Sequence, residues 1–560
     1  MKPYPKHLPQ EMRIKLIIFL IIPAFFLSCA KDIPVISSID PKIGRMGEFI
    51  TLTGSNFGEA RDESYVTIAG ISPTNSSYSV WQDDLIIVRV PELGESGLVY
   101  VHSRGKKSNG VLFSNTISIP RPVEGEELGL EPRIISITPQ SGAPGTVISI
   151  KGSNFGMSRE SSLNTLSGAF FSWDYDSGTF NPYIVREPEF IEASETEMGY
   201  ESWNSREIRI RIPDGAVSGN FEIITPHGKS RPVYFDVTGK PGNKNFKDKR
   251  IYTINYSVDI KVLEATRPNT LYLWIPKPII SSSQRNMRLV SRNTEPFVEN
   301  YRGTSLYKLD NIGTGVNQSI NLSFRVEIYS VETDIRAQSI ATQEKTPLFA
   351  MYTQSTPLIP SDSDLIKTTA ASITGREQNP YLKARLIYNW IIANMRITNY
   401  MSANTLNASL EQRQANPYTA ALLFSALTRA AGVPCIPVAG VLINENWQTT
   451  NHYWAEFWIN GFGWIPVDPA MGAGIMIITG NSPEGETERN PENFYFGNLD
   501  NQRIAFSRGD ISLSQMESRG RIVSHSQSYS LQNIWEEAAG GIESYSSLWE
   551  NITISGVYTH

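Results

Sequence analysis

Cysteine is nearly absent from this chain: Cys29 and Cys435 are the only two in 560 residues. That excludes a disulfide framework and a thiolate zinc site of the usual spacing. Histidine is scarce too, and the six present are dispersed, with no HExxH pair. Nothing in the pattern points to a metal or a cofactor, and none is expected. No basic block occurs and the net charge is −6, so the electrostatic footprint of a nucleic-acid partner is missing. The N-terminal apolar run, Leu16 to Leu27, has 12 residues, well short of the roughly 20 that span a bilayer as a helix.

What is present begins at the N-terminus. Arg13 and Lys15 precede the apolar run, and Ser28-Cys29-Ala30 follows it. A positive flank, a short apolar stretch and a small residue describe a secretory signal. The cysteine that closes it resembles a bacterial lipobox, although Phe26 and Leu27 depart from the usual residues there. The resemblance implies a lipoprotein signal peptide over residues 1–28 and lipidation of Cys29. The mature chain would then be extracytoplasmic, in the periplasm or at the cell surface, held to the cell membrane or an outer membrane. An uncleaved anchor and simple secretion are the alternatives.

A chain of this length calls for three to five domains at roughly 100–200 residues each. An internal repeat supplies the first two. Ile39-Asp40-Pro41, Gly47 and the run Phe49 to Gly58 reappear as Ile137-Thr138-Pro139, Gly145 and Val147 to Gly156, always offset by 98 residues (Gly152 minus Gly54). Each copy alternates apolar and polar residues between Gly, Pro and Asn turns, as short strands do. Later in each, a Trp opens a β-rich run that ends in Pro: Trp81 to Pro91 and Trp203 to Pro213. The pattern resembles the IPT/TIG immunoglobulin-like domain, over residues 33–118 and 131–239. An additional segment near Ser161–Ser202 in the second copy reads as a long loop. Glu124–Glu127 and Lys240–Lys244 read as linkers.

From Arg250 the alternation changes, and residues 250–335 read as a third β-sandwich. Helical spacing then begins. Pro380 to Ile392 has apolar residues three and four apart, with Pro in the first turn. A second helix is expected over Tyr418–Ala431, stopped by Gly432 and Pro434. Residues 508–560 form a C-terminal tail with no assignable structure.

Strands are expected from Ile436, and three ordered motifs run from the end of the second helix into them: Arg429-Ala430-Ala431-Gly432-Val433-Pro434, His452-Tyr453-Trp454-Ala455-Glu456 and Gly463-Trp464-Ile465-Pro466-Val467-Asp468-Pro469. Together they resemble the transglutaminase-like superfamily, whose members use a Cys-His-Asp triad, and they imply a core over residues 346–507. A thiol attacks a carbonyl only as thiolate, so an imidazole must take its proton and an Asp must orient the imidazole. His452 and Asp468 match the base and the orienting acid. The family's nucleophile lies twelve residues before the Arg, which here is Pro417. Asn416 and Pro417 suit an N-cap and a first helical position, so the helix survives where the nucleophile does not. Cys435 follows the helix, which is about 20 Å long, and reads as a buried, inert thiol. Tyr418 and Trp454 are expected to line the cleft.

The fold expected is therefore multidomain: two IPT/TIG immunoglobulin-like β-sandwiches, a third β-sandwich, and an α+β, papain-like transglutaminase core. The function expected is a membrane-anchored lipoprotein whose core has lost its catalytic Cys and acts as a binding or envelope scaffold, more an inactive relative than an enzyme. The alternative is an acyl-transfer enzyme using His452 and Asp468 with an unrecognised nucleophile. Expected partners are the membrane, through Cys29, and a protein or a peptidoglycan or other glycan ligand.

Overall fold

The computed structural model describes residues 33–559 apart from 62–63, 92–95, 116–130, 160–166, 174–188, 240, 341–344, 346, 399–404 and 476–489. The signal segment, Cys29 and the acidic linker Glu124–Glu127 lie outside the described residues. Among the described residues no helix is long and apolar enough to cross a membrane. The first repeat forms one compact unit, and the chain from the second repeat onward forms another.

In each repeat the alternating residues fold into two sheets. The first copy places Val35–Asp40, Phe49–Ser55, Leu85–Arg89 and Tyr78–Trp81 side by side in one sheet. The second copy keeps that order with Arg133–Thr138, Val147–Ser153, Glu207–Arg211 and Tyr200–Trp203. Inward residues of both sheets close one apolar core in the first copy, from Ile50 and Leu52 to Val99 and Phe113.

The shared Gly-x-x-Phe motif has a steric cause. A Cβ on Gly54 would stand 2.4 Å from the Phe57 ring, and one on Gly152 would stand 2.3 Å from that of Phe155. Only glycine leaves room for the ring against this strand, and both rings are buried. The repeated tryptophans finish the motif: the indole N–H of Trp81 donates to the Phe57 carbonyl at 3.2 Å and that of Trp203 to the Phe155 carbonyl at 2.8 Å.

The segment read as a loop in the second copy contains strands. Gly168–Trp173 and Glu189–Glu192 pair with each other, and Tyr200–Trp203 begins before the segment ends. Phe171 and Trp173 explain this, because both turn into the core.

The β domain is organised by β1 (Gly242–Pro276), a strand of 35 residues, against a usual 3–10. It pairs along its length with several partners and sits in one eight-stranded sheet with β2 (Gln284–Arg292) and β3 (Asn317–Ile335). The linker expected at Lys240–Lys244 is already strand by Gly242, which pairs with Ile335. Lys244 is buried there because its ammonium meets the buried Asp214 carboxylate at 2.5 Å and also donates to the Trp464 carbonyl. One cation thus ties the second repeat to the core.

The core carries α1 (Pro380–Asn394), capped by Asn379, and α2 (Pro417–Ala430), capped by Asn416. A four-stranded antiparallel sheet follows, from β4 (Cys435–Ile443), β5 (Thr449–Ile459), β6 (Gly463–Val467) and β7 (Arg503–Arg508), in the order β6-β5-β4-β7. Ala420, Phe424 and Leu427 of α2 pack on one face, against Ala455 and Phe457. The opposite face, with Val438 and Trp454, packs against the second repeat and the β domain. Trp458 adds a contact, seated where a Cβ on Gly145 of the second repeat would stand 2.2 Å from its ring.

The C-terminal segment, unassigned from the sequence, completes the β domain. Arg521–Val523, β8 (Glu536–Trp549) and β9 (Thr553–Thr559) are three of the eight strands, and β8 and β9 both pair with β1. Trp535 and Ile542 sink into the core between them.

Candidate functional site

Alternation along β5 fixes what each residue faces. His452 and Trp454 share a face, and Tyr453 points to the other. Asp468 follows the last residue of β6 and caps the short turn Pro469–Gly472, accepting from the Met471 amide at 3.0 Å. The two signatures therefore converge: His452 Nε2 lies 2.6 Å from Asp468 Oδ2. Both side chains are fully buried.

The same carboxylate oxygen accepts from Arg503 at 2.9 Å, and Arg503 is paired with Asp500 at 2.5 Å. Burial acts to raise the Asp468 pKa, but the charges and hydrogen bonds of His452 and Arg503 override it and hold the group below its ordinary value. A carboxylate kept ionised can only accept. The ring nitrogen that donates to it is therefore Nε2. Nδ1 is buried and has no hydrogen-bond partner. A general base needs such orientation on one side and a partner-free nitrogen on the other; here that nitrogen is enclosed.

No described side chain supplies the nucleophile within hydrogen-bond reach of that nitrogen. Pro417 occupies the first position of α2, with the Asn416 carbonyl oxygen Oδ1 accepting from the Thr419 amide at 2.9 Å. The start of α2 and the start of β5 meet at Gln527. Asn416 Nδ2 donates to Gln527 Oε1 at 2.6 Å, and Asn451 Nδ2 donates to the Gln527 carbonyl at 3.4 Å.

Cys435 stands elsewhere. On β4 it pairs with Phe457, whereas the partner of His452 is Gly440, five residues along. At 3.4 Å per residue that is about 17 Å. The thiol is fully buried, and burial pushes its pKa up to about 12.

Tyr418 and Trp454 are not brought together. Tyr418 meets Tyr453 edge-on, with ring centroids 5.1 Å apart, on the helix side of the sheet. Trp454 lies beside His452 on the opposite face, with Arg503 over its ring. Burial raises the Tyr418 pKa, which makes its phenol a poorer nucleophile still.

Two participants were not singled out from the sequence. Arg503 stands 34 residues beyond Pro469, where the last motif ends, and no local pattern marks it as the second partner of Asp468. Gln527 belongs to the C-terminal segment, where the backbone takes a left-handed φ of 56°. The same segment places the Ser528 carbonyl on the Tyr453 hydroxyl at 2.8 Å and packs Leu531 against Ala421, Ala439 and Tyr453.

Comparison with known proteins gives two family matches. Residues 367–469 match the transglutaminase-like superfamily, and residues 34–117 match the IPT/TIG domain. An uncharacterized protein of Haemophilus influenzae is 28% identical over 210 residues, which is 32% of this chain and 54% of that one. The chain thus spans about half the length of the curated relative it matches. Among solved structures, a Cytophaga hutchinsonii protein described as a candidate cysteine protease is similar over 57% of this chain and 93% of its own, at 14% identity and a TM-score of 0.37. The periplasmic domain of TgpA from Pseudomonas aeruginosa is similar over 46% of this chain and 93% of its own, at 11% identity and a TM-score of 0.23.

Proposed function

Because the chain carries a transglutaminase-like core behind an IPT/TIG domain, we propose that it is an extracytoplasmic lipoprotein whose core has lost its nucleophile and works as a binding scaffold. The observation that carries this reading is Pro417 at the head of α2, where the family starts its helix with Cys, while the His452–Asp468 pair remains. The position of Cys435 supports it, since a buried thiol about 17 Å along the sheet cannot exchange a proton with His452. The lipobox-like Cys29 and the signal-like run before it support the extracytoplasmic, anchored location.

The test is incorporation of a fluorescent amine into a glutamine-bearing protein by the purified chain. No incorporation above that of the His452→Ala variant is expected. Incorporation that is lost in either His452→Ala or Cys435→Ala would overturn the reading. One observation favours the alternative of an acyl-transfer enzyme, namely the free Nδ1 of His452. That enzyme would need a nucleophile brought to the imidazole by a rearrangement, and its signature is activity that depends on His452.

A further inference from the structure

An open groove of about 610 Å3 lies on the β domain, on strands that contribute nothing to the His452 site. Its lining follows from strand register. Ser291 of β2 pairs with Ser323 of β3, Ser323 pairs with Asn255 of β1, and Asn255 pairs with Thr553 of β9. Directly opposed residues share a face, so these four side chains form one row across four adjacent strands. At about 4.8 Å per strand the row is roughly 14 Å long. Ser257 and its partner Asn321 begin a second row beside it, and Glu550 and Asn551 close one end at the turn between β8 and β9.

The chemistry of this surface is narrow. It offers hydroxyls and carboxamides, which donate and accept alike. The side chains of Asn255, Ser257, Ser291, Ser323 and Asn551 have no hydrogen-bond partner among the described residues. Arg292 at the rim is already committed to Glu295 and Glu299. Glu550 is then the one charged group of the lining left unpaired, and it disfavours an anion. The apolar lining, Tyr256 and Leu322, is buried in the floor, and the Tyr256 hydroxyl is spent on the Pro276 carbonyl at 2.8 Å. No apolar pocket is offered to a peptide side chain. The backbone of the central strands is paired on both sides, so it gives no edge for an added strand.

We propose that this groove is a carbohydrate-binding site for a neutral, hydroxyl-rich glycan chain laid across the row Ser291, Ser323, Asn255 and Thr553. The inference goes beyond the scaffold reading and does not depend on whether His452 has catalytic work. A site of this size matches ordinary ligand pockets of about 300–1,000 Å3. Each sugar hydroxyl can replace the water on one amide or hydroxyl of the row, at a net gain per bond that is modest but additive along a chain.

The experiment is affinity electrophoresis of the full chain through gels holding a soluble β-glucan, a mannan or a galactan, with a sulfated polysaccharide and an empty gel as comparisons. Retardation by at least one neutral polysaccharide is expected. Asn255→Ala with Asn551→Ala should weaken it roughly tenfold, the loss of two neutral hydrogen bonds. Asn551→Ala alone, in an exposed turn outside the strands, should weaken it in the same direction with the melting temperature unchanged. The proposal is overturned if no neutral polysaccharide retards the chain, if only the sulfated one does, or if the folded Asn551→Ala variant and the double variant both run like the native protein.

Discussion

His452 holds Asp468 by one ring nitrogen, Nε2, at 2.6 Å, and presents the other, Nδ1, to nothing. Burying an imidazole nitrogen without a partner costs free energy, and the packed surroundings sustain that cost. The pair is consequently more than a core histidine that has found an acceptor. It keeps the oriented side of a general base, while the helix that would carry the nucleophile begins with Pro417.

Asp468→Asn should destabilise the fold by about 3–5 kcal/mol, the usual cost of breaking a buried charged pair. The effect should depend on pH. The folded carboxyl titrates below its ordinary value of 3.8, so the folded chain gives up that proton at lower pH than the unfolded chain. Its stabilisation is complete above the unfolded pKa and is lost as pH falls through the folded one. Denaturant unfolding across the acid range should show a steeper loss in the native protein than in Asp468→Asn. Parallel curves would mean that the pairing contributes nothing to stability.

Cys435 should be chemically silent in the folded protein. With its pKa pushed up to about 12, only about one part in 10⁴ is thiolate near pH 8. A chromogenic disulfide reagent, applied to the Cys29→Ser variant, should react at least about a hundredfold more slowly before denaturation than after. Fast reaction of the folded protein would place the thiol in reach of reagents and reopen its candidacy as a nucleophile.

Cys29 should carry the lipid. When the full gene is expressed in a bacterial host fed labelled palmitate, label should enter the native chain and be absent from Cys29→Ser, which should also leave the detergent phase on phase partitioning. The single acyl-bearing residue matters because the apolar run before it has 12 residues, too few for a comfortable helical span. Equal partitioning of the two proteins would instead favour an uncleaved segment.

The buried pair Lys244–Asp214 should be worth more broken than absent. Both side chains are about 95% buried, and burial raises the Asp214 pKa while Lys244 opposes that rise. Lys244→Met leaves an unpaired buried carboxylate and should cost about 3–5 kcal/mol, whereas adding Asp214→Asn should recover part of it. Thermal melts of the two single variants and the double variant decide this. A double variant no better than the sum of the single ones would show the two residues acting separately.

Signals that are local in the chain were legible, and those that arise from pairing at long range were not. Asn416-Pro417 announces a capped helix, and α2 begins there. The Gly54 and Phe57 spacing announces the sandwich end that Gly152 and Phe155 repeat. By contrast, β8 pairs with β1 across nearly three hundred residues, as in Leu271 with Ala538, and nothing near Ala538 encodes its partner. Arg503 is invisible for the same reason, since its meaning lies in Asp468, reached only after β7 joins β4. Lys240–Lys244 misled because a Pro-Gly run marks turns by composition, while Lys244 is held as strand by a carboxylate thirty residues earlier.

The C-terminal segment should hold the start of α2 against β5, on the face of the sheet opposite His452. Leu531 fills the gap between Ala421, Ala439 and Tyr453, and Gln527 spans the starts of α2 and β5 through Asn416 and Asn451. Leu531→Ala should cost about 2–5 kcal/mol, and because the contact is peripheral the loss should appear first as local opening. Gln527→Gly should cost less, since losing one hydrogen bond is offset by relieving a left-handed residue. Acylation by a histidine-directed reagent, mapped by mass spectrometry, separates these effects. In the native protein His227, which is exposed, should react while His452, which is fully buried, is spared. In Leu531→Ala, His452 should stay spared, because Leu531 packs beside Tyr453 on the other face of the sheet, and His227 should not change. Labelling of His452 in Leu531→Ala would show that the segment screens it from across the sheet, and labelling as fast as that of His227 before any substitution would show the imidazole open to substrates.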